Sequence, residues 1–200
     1  MHRRAKAVLA VVVLCVAGAV FETYLLTHAD GGPSSEEFQV YGAFLTRFAT
    51  DRGLRPNELA LERETLQLTD PQFESWVPIG LRHGRMFPPP EFVSFCGTLC
   101  GRDFVKKNLA MWQLKPSVQG ELGVFIVEAS ESTQTAPPKS VVDVTRVGFD
   151  LRGNRAVLMY SFDCNDYSPN RPVLCVQIGN AYLQKRKGTW NVDHYSGLTL

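Results

Sequence analysis

The chain has 200 residues, 44% of them hydrophobic, and its 21 lysines and arginines against 20 acids give a formal net charge of +1. That is enough apolar material for one sizeable core. It leaves no basic excess to hold nucleic acid and no acidic run to repel it.

Residues 1–30 have the layout of an export segment. Arg3, Arg4 and Lys6 precede the uncharged run "AVLAVVVLCVAGAVF" from Ala7 to Phe21, and such cations stay on the cytoplasmic side while the apolar run enters the membrane. Ala17-Gly18-Ala19 offers the small-x-small pattern of a signal peptidase site, and fifteen residues fall short of the ~20 needed to span a bilayer. Tyr24, Leu25 and Leu26 extend the apolar character to residues 7–26, so a retained anchor is the main alternative to cleavage, and a buried N-terminal helix is the third reading. Leu14 before Cys15 argues against a lipidation signal, which requires a small residue there. Cleavage before Val20 would remove three cations and leave 18 against 20 acids. The expected location is extracytoplasmic, periplasmic or secreted, with membrane contact only through the N-terminal segment.

A linker, "GGPSS", covers residues 31–35, and its serines can cap a helix starting near Glu36. Phe38, Tyr41, Phe44, Leu45 and Phe48 recur at three- and four-residue intervals, which predicts one apolar helix face ended by Gly53 and Pro56. "ELALERETLQL" (58–68) alternates apolar and charged residues and predicts a strand. Across residues 70–101, Pro71, Pro78 and Pro88-Pro89-Pro90 allow only short helical turns and loop. Asp103 is a candidate cap for one or two further helical turns. "LGVFIVEAS" (122–130) predicts a strand and "ESTQTAPPKS" (131–140) a loop.

The C-terminal part predicts an antiparallel meander of "VVDVTRVGFD", "RAVLMYSFD", "VLCVQIGNAYLQ" and "TWNVDHYS". Its tight turns fall at Arg152-Gly153-Asn154 and Arg186-Lys187-Gly188. The whole predicts an α+β fold in which an N-terminal helix packs on a curved antiparallel sheet, with residues 36–200 forming a single domain.

In an oxidising compartment Cys96, Cys100, Cys164 and Cys175 read as structural disulfides, and four cysteines allow three pairings. Cys164 and Cys175 flank a loop of turn-forming residues between two predicted strands, which would bring them opposite each other near the hairpin mouth. The expected pairs are Cys164–Cys175 and Cys96–Cys100, the second because Gly97 and Gly101 permit a tight bend. A zinc site would need a second close cysteine pair or closely spaced histidines, whereas His83 and His194 are isolated. A redox pair would favour two intervening residues, and "CGTLC" has three.

Several segments resemble a group of uncharacterised exported bacterial proteins: "VTRVGFDLRGNRAVLMYSFDC", Leu174-Cys175, Gly179, Tyr182-Leu183 and "KGTWNV", with "YGAFL", "ELALERET" and "DFVKKN" upstream. The likeness spans roughly residues 38–195 and is most specific in the last fifty-five. Thr145 stands where the group has serine, and the cysteine loop is longer and richer in proline. The resemblance implies one exported domain and transfers no activity or site.

No catalytic residue is assigned from sequence. Asp193, His194 and Ser196 supply triad residue types, but neighbours on a regular strand face opposite ways, so Asp193 is expected not to orient His194, and no nucleophile elbow occurs. Glu62 and Glu64 read as a solvated strand face, with Asp163 and Asp166 as possible spatial partners. "QKRK" (184–187) reads as an exposed turn, and Trp112 and Trp190 as core. No metal, nucleotide or flavin is expected, since "GGP" at 31–33 is linker rather than a phosphate loop. Two function classes follow. One is a non-catalytic extracytoplasmic domain that binds an envelope protein or a small ligand. The other is an extracytoplasmic hydrolase with dispersed catalytic residues. A cleft with two or more buried acids or a paired histidine would favour the hydrolase, and an aromatic cleft would favour binding.

Overall fold

The computed structural model describes residues 32–55, 58–68, 88–114, 125–127, 140–164, 167–168, 171–172 and 175–199, and of residues 125–127, 163–164, 167–168, 171–172, 175–176 and 198–199 it describes the backbone alone. The expected export segment 1–30, most of the 131–140 loop and the proline-interrupted stretch 70–87 lie outside the described residues. Among the described residues no helix is long and apolar enough to cross a membrane.

Helix α1 spans Ser35–Asp51. The Ser34 side chain accepts a hydrogen bond from Glu37 N at 3.2 Å, and Glu36 and Glu37 lie in the first turn, where the helix dipole favours negative charge. Val40, Tyr41, Phe44, Leu45, Phe48 and Ala49 form its buried stripe. Arg52 caps the C-terminus, and Gly53, at φ +65°, takes the left-handed turn that reverses the chain.

Two further helices follow the proline run. Helix α2 is Pro90–Cys96 and helix α3 is Thr98–Lys107, joined at Gly97 with φ +89°. Asp103 is therefore not a cap but lies inside α3.

Among the described residues the main sheet has seven strands: β1 Leu59–Glu62, β2 Phe125–Val127, β3 Ser140–Val144, β4 Gly148–Phe149, β5 Arg155–Cys164, β8 Cys175–Arg186 and β9 Thr189–Thr199. Between β5 and β8, β6 (Tyr167–Ser168) and β7 (Arg171–Pro172) form a small separate ladder inside the cysteine loop. The sheet order is β2-β1-β3-β5-β8-β9, with β4 paired beside β5. From β3 onward the pairing is antiparallel, as the meander reading expects, but β1 pairs in parallel with both β2 and β3. The sheet is thus mixed. Parallel neighbours need long connections, and no local sequence signal fixes that choice.

Two local departures have physical causes. β1 stops at Glu62, after which the backbone turns to the 112–114 segment: Thr65 N donates to Trp112 O and Leu114 N to Arg63 O. "VVDVTRVGFD" is two strands, because Thr145, Arg146 and Val147 stand against only Leu158 and Met159 in the register with β5. Thr145 holds that bulge by bonding Met159 through both its backbone N–H and its hydroxyl oxygen. The Lys187-Gly188 turn has φ of 51° and 83°, the type I′ geometry that matches strand twist.

Helices cover both faces of the sheet. Ala156, Leu158, Tyr160, Phe162, Ala181 and Leu183 pack under α1 in the larger core. The alternate residues Val157, Met159 and Tyr182 pack under α2 and α3 with Phe92, Cys100 and Phe104. Gly148 admits α3 directly: a Cβ there would lie 2.6 Å from Phe104 Cβ and 2.9 Å from Cys100 O. The second helical layer is the largest element unforeseen from the sequence.

Candidate functional site

Charges converge first at the β3–β4 bulge. Arg146 is 1% exposed and donates to both oxygens of Glu37 on α1, Nη2 to Oε1 at 2.8 Å and Nε to Oε2 at 3.3 Å. Val147 N also donates to Glu37 Oε2 at 3.3 Å. From α3, Lys107 Nζ lies 3.7 Å from Glu37 and 2.9 Å from Asp103, and Asp103 accepts from Phe149 N at 3.0 Å. Buried Asn108 accepts from Arg146 N at 2.6 Å and donates to Arg146 O at 3.0 Å. Trp112, read as core, is half-buried, with the Arg146 guanidinium 5.2 Å from its ring centre. The cluster is enclosed and its geometry ties α1 to α3. It acts as a structural clasp.

The second cluster lies on β9, the last strand of the sheet among the described residues. Its register against β8 shifts between Tyr182↔His194 and Leu183↔Val192, leaving Asp193 as an extra residue in a bulge. The bulge breaks the alternation of faces, so Asp193 Oδ2 comes within 3.0 Å of His194 Nδ1. The expectation that Asp193 could not orient His194 is corrected. The His194 ring stacks on Tyr182 with centroids 4.3 Å apart and planes at 10°, and Phe95 meets both rings edge-on. Ser196 Oγ donates to Tyr182 Oη at 3.5 Å and accepts from Asn180 Nδ2 at 3.4 Å. Burial pushes the Tyr182 phenol up, offset by the Ser196 bond, reinforced by the Glu91 charge and eased by Asn180. Ser196 makes no hydrogen bond to His194, so a nucleophile–base pair is not assembled.

On the other face of β9 a groove of about 730 Å³ opens between α1 and the β8–β9 turn. Gly42, Ala43, Thr46, Arg47 and Thr50 form its helical wall, and residues 188–192 its strand wall. Trp190 is 4% exposed and belongs to the core as expected, yet its edge also reaches this groove. Glu36 anchors the groove's end, accepting from Lys185 Nζ and Trp190 Nε1, each at 2.6 Å. Burial works to raise the Glu36 carboxyl, but those two bonds and the Lys185 charge outweigh it and hold it below the ordinary value. No acid or histidine lines the groove, and its walls mix aromatic, small and hydroxyl side chains rather than aromatics alone.

Of the cysteines, Cys96 and Cys100 form a disulfide with S–S 2.00 Å between α2 and α3. Gly97 makes the bend, whereas Gly101 serves packing: a Cβ there would lie 2.5 Å from Pro88 Cβ. Cys164 and Cys175 are direct partners in the β5–β8 register, and their side chains lie outside the described residues. The side chains of Asp163 and Asp166 also lie outside them. Lys185 pairs with Glu36, and Arg186 lies 3.6 Å from Asp193, so the 184–187 turn is partly neutralised. Among the described residues no group of three or more histidine, cysteine or acidic side chains could hold a metal.

The groove escaped the sequence reading, though a signal existed. Positions 39, 42, 43, 46, 47 and 50 share one outer helix face and carry a single charge, where a solvated face normally carries several. No family model, curated protein or solved structure matches the chain.

Proposed function

We propose that the chain is a non-catalytic extracytoplasmic domain of the bacterial cell envelope, and that it binds its partner in the groove between α1 and β9. The groove carries this reading: it is open, holds half-buried apolar edges beside hydroxyls, and has no acid or histidine among its lining residues. The export-like residues 1–30 and the Cys96–Cys100 disulfide fit an oxidising compartment. A second disulfide, Cys164–Cys175, is part of the same proposal, since directly opposed antiparallel residues have Cα atoms about 4.5–5.5 Å apart, inside the bonding range.

A second reading, an extracytoplasmic hydrolase, draws on Asp193–His194, where a carboxylate orients an exposed imidazole. One experiment separates the two. The full chain should bind the apolar anion 1-anilinonaphthalene-8-sulfonate, and Gly42→Trp should abolish that binding without moving the unfolding midpoint. Turnover of ester, peptide, phosphate or glycoside substrates that disappears in His194→Ala would replace the binding reading with the hydrolase.

A further inference from the structure

We propose that the Cys96–Cys100 disulfide is a redox latch. Oxidised, it holds the last turn of α2, with Phe95, against Tyr182 and His194; reduced by a dithiol, it releases that turn and uncovers the two stacked rings. The latch is independent of what the groove binds. The bond spans a sequence separation of 4. A cross-link that short removes little freedom from the unfolded chain, so it contributes little to global stability. Its effect is local: it fixes how α2 meets α3 across Gly97, where φ is +89°.

The two halves of α2 are held differently. Its 7 residues are too few to stay helical unaided, and Pro89 at the start supplies no side-chain cap. Packing anchors the first half: Phe92 is fully buried, edge-on to Phe104 at 4.8 Å and to Tyr182 at 5.7 Å, and Pro88 sits close against Gly101. The last turn has thinner support. Ser94 is exposed, and Val93 and Phe95 are half-buried. Phe95 meets Tyr182 and His194 edge-on at 5.2 and 5.9 Å, and Arg155 Nη1 donates to its carbonyl. Cys96 is the covalent tie of this turn, and without it so exposed a segment opens at low cost.

Access sets the exchange chemistry. Cys96 is 9% exposed and Cys100 0%, so an incoming thiolate reaches the Cys96 sulfur first. A new S–S bond forms there as the Cys96–Cys100 bond breaks, and Cys100 leaves as a thiolate that takes up a proton. The second thiol of the reductant then attacks the mixed disulfide and frees Cys96 as a thiol. The dithiol ends as a disulfide, and its two electrons and two protons pass to the chain. The pair is the target of exchange rather than its catalyst, in keeping with the three residues between its cysteines.

The test follows amide hydrogen exchange in the full chain with and without dithiothreitol. Reduction should speed exchange at residues 94–97 by about tenfold or more, and at residues 104–107 and 189–192 by less than about twofold. Thiol labelling of the folded, reduced chain should recover Cys96 and Cys100. Cys96→Ser combined with Cys100→Ser should reproduce the fast exchange without reductant, which separates this bond from the remaining cysteines. Unchanged exchange at residues 94–97 in the reduced chain would mean that packing alone holds the turn, and the latch is then wrong. Acceleration across the whole sheet, or failure of the double variant to fold, would make the bond a global staple and overturn the proposal as well. So would a bond that resists dithiothreitol until urea unfolds the chain.

Discussion

Two carboxylate–nitrogen pairs, Glu37–Arg146 and Asp193–His194, use similar distances for different purposes. Glu37 and Arg146 meet at 2.8 Å with both side chains 1% exposed, while Asp193 and His194 meet at 3.0 Å with 38% and 51% exposed. The first pair has lost its water and is held by the Val147 N–H and Lys107 on Glu37 and by Asn108 on the Arg146 backbone. Breaking it strands a charge in a medium that cannot solvate it. The second keeps its water, so its attraction is screened and its removal leaves nothing stranded. Distance alone would class them together. Burial makes one a structural clasp and leaves the other available for chemistry or recognition.

The largest expected effect tests the clasp. Arg146→Ala should destabilise the chain by about 3–5 kcal/mol in urea unfolding, because Glu37 would stay buried with the Val147 N–H and Lys107 at 3.7 Å in place of its bidentate partner. Replacing both Glu37 and Arg146 by methionine should cost much less than either single change. If the double variant is as unstable as Arg146→Ala, the clasp stabilises through its geometry rather than by pairing charges.

The same contrast marks what a sequence discloses. Helix α1 was legible because its stripe repeats every three to four residues and Ser34 sits at the start. The C-terminal strands were legible because Gly153 and Lys187-Gly188 supply turns between runs of β-forming residues. Those signals are local. Glu37 and Arg146 are separated by 109 residues, and nothing near either announces the other. The parallel pairing of β1 with β3 is equally non-local. Strict alternation hides the Asp193–His194 contact, because the bulge that creates it depends on how β9 registers with β8. The outer face of α1 was readable in principle, since its shortage of charge is written at every third or fourth position.

An intermediate case lies between the two pairs. Glu36 has a 36% exposed side chain but accepts two 2.6 Å bonds, from Lys185 and Trp190. Glu36→Gln should therefore cost about 0.5–1 kcal/mol at neutral pH. The folded-state carboxyl titrates below its ordinary value of 4.5, so the contribution is complete above that pH and lost as pH falls through the lower folded value. The stability difference between the parent chain and Glu36→Gln should shrink as pH falls below about 4.5. A difference that stays constant to lower pH would show that Glu36 acts through shape and not through its charge.

The smallest effect belongs to the exposed pair. Asp193→Asn should change stability by less than about 0.5 kcal/mol. His194→Ala should cost up to about 1 kcal/mol, since it also loses the stack on Tyr182. A double-mutant cycle on Asp193 and His194 should give a coupling near zero in 1 M salt, where charges are screened beyond about 3 Å. The same cycle on Glu37 and Arg146 should keep most of its coupling there, because neither side chain reaches solvent. A large, salt-resistant coupling at Asp193–His194 would mean the bulge depends on that bond for its shape. The pair would then belong with the clasp, and its imidazole would no longer be a group held ready at the surface.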